Sequence, residues 1–195
     1  GSGAMPYMIP LLMQVVMGFS PAQAGMLMLP VALASMATKR LVTRIITRWG
    51  YRRVLVTNTL LLGAMIAGFA LMTPEQPLLL RIVQLALFGA VNSMQFTAMN
   101  AVTLKDLAPA RAASGNSLFS MVQMLGMSLG VTCAAALLHA FTAWLQTGTG
   151  ADALPAFRAA LVLIGVMTMA SAAIFWQLDR GTPVRSSAAA AVDET

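Results

Sequence analysis

Residues 39–53 read KRLVTRIITRWGYRR and hold Lys39, Arg40, Arg44, Arg48, Arg52 and Arg53, six of the chain's twelve basic residues, with no acid among them. An apolar run long enough to cross a bilayer lies on either side. Positive charge next to membrane helices is retained on the cytoplasmic side, so this block predicts the orientation of every segment before and after it. Trp49 and Tyr51 flank Gly50 within it, amphipathic rings suited to the headgroup layer.

Composition excludes the soluble alternative. Only 9% of the 195 residues are charged, against about 25% in a soluble domain. Six acids cannot clothe a water-facing surface, and the mean hydropathy is +0.79. The net charge of +6 would suit nucleic acid, but the basic residues sit between apolar runs and form no aromatic-interleaved face, so no nucleic-acid partner is expected. Cys133 is the sole cysteine and lies inside an apolar run, where it makes neither an internal disulfide nor a metal cluster. No phosphate-cradling glycine loop, catalytic carboxylate pair or metal-ligand spacing is visible, so no cofactor, no metal and no enzymatic activity are expected. No signal peptide is visible, and the chain opens almost directly into an apolar run, which reads as a piece of a longer protein. Gly1-Ser2-Gly3 reads either as a cloning remnant or as a flexible helix entry.

The expected fold is an all-α membrane protein, a bundle of six transmembrane helices over residues 1–180, followed by a disordered cytoplasmic tail at 181–195. The helices are expected at about 4–17, 21–46, 54–72, 78–104, 114–140 and 155–178. Ser20 and Pro21 suit the start of the second, and Ser114 or Asn116 the cap of the fifth. If the segments alternate, the inner side receives the six basic residues of the block plus Lys105, Arg111, Arg180 and Arg185, and the outer side only Arg81 and Arg158. Both ends of the chain then point to the cytoplasm.

The segment at 78–104 is more polar than the others. At 100° per residue Arg81, Gln84, Phe88, Asn92, Gln95, Met99 and Thr103 fall within about 100° of one another on one helical face. One reading is a cavity wall, with amides orienting a substrate and Phe88 and Met99 packing against variable apolar shapes. The other is interhelical hydrogen bonding, with Asn92 and Gln95 tying the helix to a neighbour. Met94, Met121 and Met124 are either core filler or further flexible wall of such a cavity.

Three charges sit deep. Arg81, about one turn inside the outer end, reads as a side chain snorkelling to water or as an intramembrane charge. Lys39 and Arg40 precede Arg48 by about 12 to 14 Å of helix and serve either cytoplasmic anchoring or an inner gate. Gly126 and Gly130 have the spacing of close helix packing, with Ala134 continuing the small face. The same stretch, Gly126-Met127-Ser128-Leu129-Gly130, also spells a hydrolase nucleophile pattern, but the sole histidine, His139, lies about 16 Å further along the same helix, too far to act as its base.

Around Gly50 the sequence resembles the major facilitator superfamily. Arg48, Gly50, Arg52 and Arg53 match its signature of Asp-Arg, one residue, Gly and two basic residues, with Thr47 at the Asp position and Thr43 at the preceding Gly. Arg81, Gln84 and Gly89 echo the family's R-x-x-Q-G pattern, as related halves of one transporter would. The chain is similar to the last six helices of a 14-span drug:proton antiporter of the EmrB/QacA type, most specifically at 50–55 and 100–118. The resemblance implies proton-coupled export of amphipathic or cationic compounds across a bacterial inner membrane. The partners it implies are an N-terminal half, the bilayer, protons and a drug-like substrate bound between the halves. It also gives Arg48, Gly50, Arg52 and Arg53 a gating role beside their effect on topology. All six acids lie outside the apolar segments, so the coupling carboxylate is expected in the other half. The competing reading is a non-transporting six-helix membrane scaffold or assembly subunit whose polar stripe binds a partner helix.

Overall fold

The computed structural model describes residues 2–104, 112–146, 148 and 150–176. The expected cytoplasmic loop with Lys105 and Arg111, the disorder of residues 181–195, and Arg180 and Arg185 all fall outside these. The described residues form helices α1 (Met5–Val15), α2 (Pro21–Met26), α3 (Leu29–Trp49), α4 (Tyr51–Gly68), α5 (Leu78–Leu104), α6 (Ala112–Trp144), α7 (Leu154–Ala170) and α8 (Ala172–Trp176). Among them the stretches Pro21–Thr38, Tyr51–Leu71, Leu78–Thr103, Ser114–Trp144 and Leu154–Trp176 are long and apolar enough to cross a membrane.

The expected boundaries shift where a local signal was misread. The first expected span is short: α1 has 11 residues, about 16 Å of helix against a hydrocarbon core of about 30 Å, and the chain turns at Gly18 with φ +70°. The second is two helices. Ser20 accepts a bond from the Gln23 amide at 3.3 Å while the Gln23 side chain accepts from the Ser20 amide at 3.0 Å, a closed capping box, and Pro21 occupies the first turn. The chain then turns at Leu27 and Met28, and Pro30 sits in the first turn of α3, where its missing N–H costs no helix bond.

The basic block is helix, not loop. α3 runs through Arg48 to Trp49 and α4 begins at Tyr51, with Gly50 alone between them at φ +77°. A residue with a side chain disfavours that left-handed conformation, whereas arginine is a good helix former, so the break falls on the glycine. α6 begins at Ala112, ahead of the expected caps Ser114 and Asn116, and runs past 140 to Trp144.

Close backbone approach holds the bundle together. In lipid, helices gain little by burying apolar side chains from tails that are equally apolar, so tight packing and polar ties decide which faces meet. α3 crosses α5 at Gly89, where an added Cβ would run into the Val31 backbone. Ser35 Oγ donates across the same crossing to the Gly89 carbonyl at 2.9 Å, and Ser93 Oγ donates back to the Ser35 carbonyl at 3.0 Å. α4 crosses α7 at Gly63 and Gly165, where a Cβ on either would lie 2.7 Å from the other's carbonyl oxygen. The main core gathers Met5, Met8, Leu12 and Met13 of α1, Leu62 and Ile66 of α4, Leu85 and Phe88 of α5 and Phe157 and Leu161 of α7. A second cluster of Val42, Ile46, Val54, Leu55 and Ala98 closes the basic end.

Candidate functional site

The α5 stripe is brought inward, but its members do different things. Gln95 is 5% exposed and both ends of its amide are engaged by α4: Asn58 Nδ2 donates to Gln95 Oε1 at 2.8 Å, and Gln95 Nε2 donates to Thr59 Oγ1 at 2.9 Å. Asn58 Nδ2 also reaches the Val91 carbonyl at 3.0 Å. Both ends of the buried amide are thus held by the neighbouring helix, which is the interhelical reading at this position. Phe88 is likewise core: it is 4% exposed and stands edge-on to Phe69, with centroids 5.5 Å apart.

Asn92 differs. It is half-buried, and its Oδ1 is shut from water without a hydrogen-bond partner. An unmet acceptor of this kind inside an apolar bundle is costly, and a donor supplied by a ligand or another helix would satisfy it. Gln84 lies half-buried one turn before Phe88, and Met99 is half-buried against the cluster at the basic end. Met121 and Met124 are 61% and 70% exposed on α6, among Leu118, Val122, Leu125 and Leu129, which are equally exposed.

The deep charge near the start of α5 does not snorkel to open water. Arg81 is 3% exposed, and its Nη2 donates to the carbonyls of Thr73 at 3.2 Å, Pro74 at 3.4 Å and Gln76 at 3.2 Å. Its guanidinium also lies 5.3 Å from the centre of the Phe19 ring. The α4–α5 turn folds back over the arginine, so its charge meets carbonyl dipoles and a ring face in place of water.

At the other end Arg48 and Arg53 are exposed on either side of Gly50, while Arg52 is half-buried over the Trp176 ring at 5.2 Å. Lys39 and Arg40 lie two to three turns before the end of α3. Of the glycine pair on α6, only Gly130 is closely approached: a Cβ there would lie 3.3 Å from the Ala4 nitrogen, whereas one at Gly126 meets nothing within 4 Å. The chain entering α1 crosses α6 at Met127 and Gly130, where Gly3 lies against the Met127 backbone, and leaves Gly126 itself open. Ser128 Oγ donates to the Met124 carbonyl of its own helix at 3.0 Å, so no base engages it.

Asn58 and Thr59 were not singled out above. Their signal was available, since Thr57-Asn58-Thr59 interrupts the apolar run at 54–72 with three consecutive polar residues. Among the described residues no group of three His, Cys, Asp or Glu side chains is placed to hold a metal.

Among the described residues the fold is all-α and five stretches are of membrane length, and residues 1–131 match the profile of the Major Facilitator Superfamily. The chain belongs to that family. It is 50% identical over 141 residues to a Serratia proteamaculans protein whose printed name is Putative multidrug resistance protein MdtD, and 49% identical over 142 residues to the Pectobacterium atrosepticum protein of the same name. The Cronobacter sakazakii protein of that name is 46% identical. These alignments cover 72–73% of the chain but about 30% of each relative's length.

Proposed function

We propose that the chain is the C-terminal half of a multidrug efflux transporter in a bacterial inner membrane, exporting amphipathic or cationic compounds in exchange for protons. The observation that carries this reading is the identity of about half of the aligned residues to relatives named for multidrug resistance. The geometry supports Asn92, Gln84 and Met99 as the substrate-facing residues of this reading. Asn92 offers a carbonyl oxygen with no protein partner, and Gln84 and Met99 flank it at helical spacing on the same face, a polar acceptor between adaptable neighbours. Gln95, Asn58 and Thr59 hold that face in register from behind.

The described acids support placing proton coupling elsewhere. Glu75 lies in the turn between α4 and α5, and Asp152 in the short helical turn before α7. A membrane-embedded carboxylate would therefore come from an N-terminal half, with substrate held between the halves. In this arrangement the basic block faces the cytoplasm, where Arg48, Gly50, Arg52 and Arg53 set orientation and join the inner gate.

Ethidium efflux from energised cells expressing the uninterrupted gene tests this reading, measured with and without a proton uncoupler. Export that stops with the uncoupler is expected. Export that persists at full rate without a proton gradient would contradict the antiport reading, and no export across a broad panel of cationic drugs would contradict the efflux reading.

A further inference from the structure

α3 and α4 meet at Gly50 but diverge from it, because α3 leans on α5 and α4 on α5 and α7. The divergence leaves a cleft of about 180 Å³ lined by Ile45, Trp49, Val54, Thr57, Leu61 and Met94, with Asn58 at its edge. Drug-sized ligands occupy roughly 300–1,000 Å³ and need several converging polar groups. This cleft is smaller, and Asn58 Nδ2, its nearest strong donor, is already spent on Gln95 and Val91. Leu61 and Trp49 are 48% and 57% exposed, so the cleft opens on the outside of the bundle, where lipid tails lie.

Charge stands at its mouth. Arg53 is one turn before Thr57 on α4, and Arg48 is one turn after Ile45 on α3, so both exposed guanidiniums border the basic end of the cleft. Arg52 is turned onto Trp176. The acids among the described residues, Glu75 and Asp152, lie at the opposite end of the bundle and cannot neutralise the pair. Trp49 beside them is a headgroup-level ring.

We propose that this cleft seats the first several methylenes of one acyl chain of an anionic phospholipid whose phosphate is held between Arg48 and Arg53. The apolar wall accepts the tail, and the two arginines favour an anionic over a zwitterionic headgroup. The proposal needs only that the helices sit in a bilayer, so it stands or falls apart from the transport reading.

The test is native mass spectrometry of the purified full-length protein in detergent, with phosphatidylglycerol and phosphatidylcholine supplied at equal concentration. Retention of phosphatidylglycerol roughly tenfold above phosphatidylcholine is expected. The double variant Arg48→Gln/Arg53→Gln should fall to the phosphatidylcholine level. Thr57→Phe, which fills the cleft and leaves both charges, should lose the retention as well. Equal retention of the two lipids by the unaltered protein would overturn the proposal. So would phosphatidylglycerol retention that survives Thr57→Phe, because surface charge alone would then explain it. If the arginine variant does not fold, Thr57→Phe decides the matter by itself.

Discussion

Gln95 of α5 and Asn58 of α4 are joined side chain to side chain at 2.8 Å in the middle of the bundle, and Thr59 completes the amide's bonding at 2.9 Å. The buried amide of the polar stripe is therefore a fastening, while Asn92, one turn away, keeps an unmet acceptor. These two positions separate stability from transport. Gln95→Leu should lower stability in detergent by about 1–2 kcal/mol, at the upper end for interhelical bonds in membranes. Asn92→Leu should leave stability unchanged or slightly raised, since it removes an unsatisfied polar atom, and should cut efflux several-fold. Thermal unfolding and ethidium efflux, measured on both variants, check this. Unimpaired export by a normally expressed Asn92→Leu protein would remove Asn92 from the site.

Close packing gives a second contrast. Gly165→Ala places a methyl 2.7 Å from the Gly63 carbonyl and 2.8 Å from the Ala67 nitrogen, backbone that cannot step aside. A loss of about 1–3 kcal/mol is expected, typical of an overfilled interior. Gly126→Ala meets open space and should be neutral or slightly stabilising, because alanine is the better helix former. Yields of folded protein after detergent extraction distinguish the two. Equal damage from both would mean that α6 is approached at Gly126 after all.

Much of this architecture was legible in the sequence, and the misses have physical causes. The helix at 78–104 was plain because its apolar run is long and starts just after Pro77, and its bounds are Leu78–Leu104. The basic block hid its helical content because charge was read as loop, although arginine propagates a helix up to the one glycine at φ +77°. The Leu27–Met28 turn was missed because neither residue is a helix breaker, although Pro30 just beyond them marks the first turn of α3. Gly63, Gly89 and Gly165 carry the tight crossings as single residues on separate helices, so no spacing within one segment announces them. The spacing that did stand out, Gly126 and Gly130, is used at one position only. Arg81 misled because its partners are backbone carbonyls of a turn, which have no signature in sequence.

Those carbonyls make Arg81 testable. Arg81→Met keeps the length and apolar stem but frees the acceptors of Thr73, Pro74 and Gln76 and removes the cation over Phe19. Destabilisation of about 1–3 kcal/mol is expected, with faster amide exchange confined to the turn between α4 and α5. Uniform exchange across that turn in both proteins would show that the arginine holds nothing there.

The basic block should set orientation. With Cys133 replaced by serine, a cysteine at Glu75 should react with a membrane-impermeant thiol reagent in intact cells, and one at Trp49 only after permeabilisation. Neutralising Arg48, Arg52 and Arg53 together should blur that difference by allowing part of the protein to insert inverted. Labelling of Trp49→Cys in intact cells of the unneutralised protein would reverse the topology assigned to the chain.

The most direct test of the central claim compares ethidium efflux from cells expressing residues 1–195 alone with efflux from cells expressing the uninterrupted gene, at matched membrane levels. Uncoupler-sensitive efflux from the longer product and none from residues 1–195 is the result expected of a half-transporter whose substrate lies between two halves. Efflux by residues 1–195 alone would contradict it.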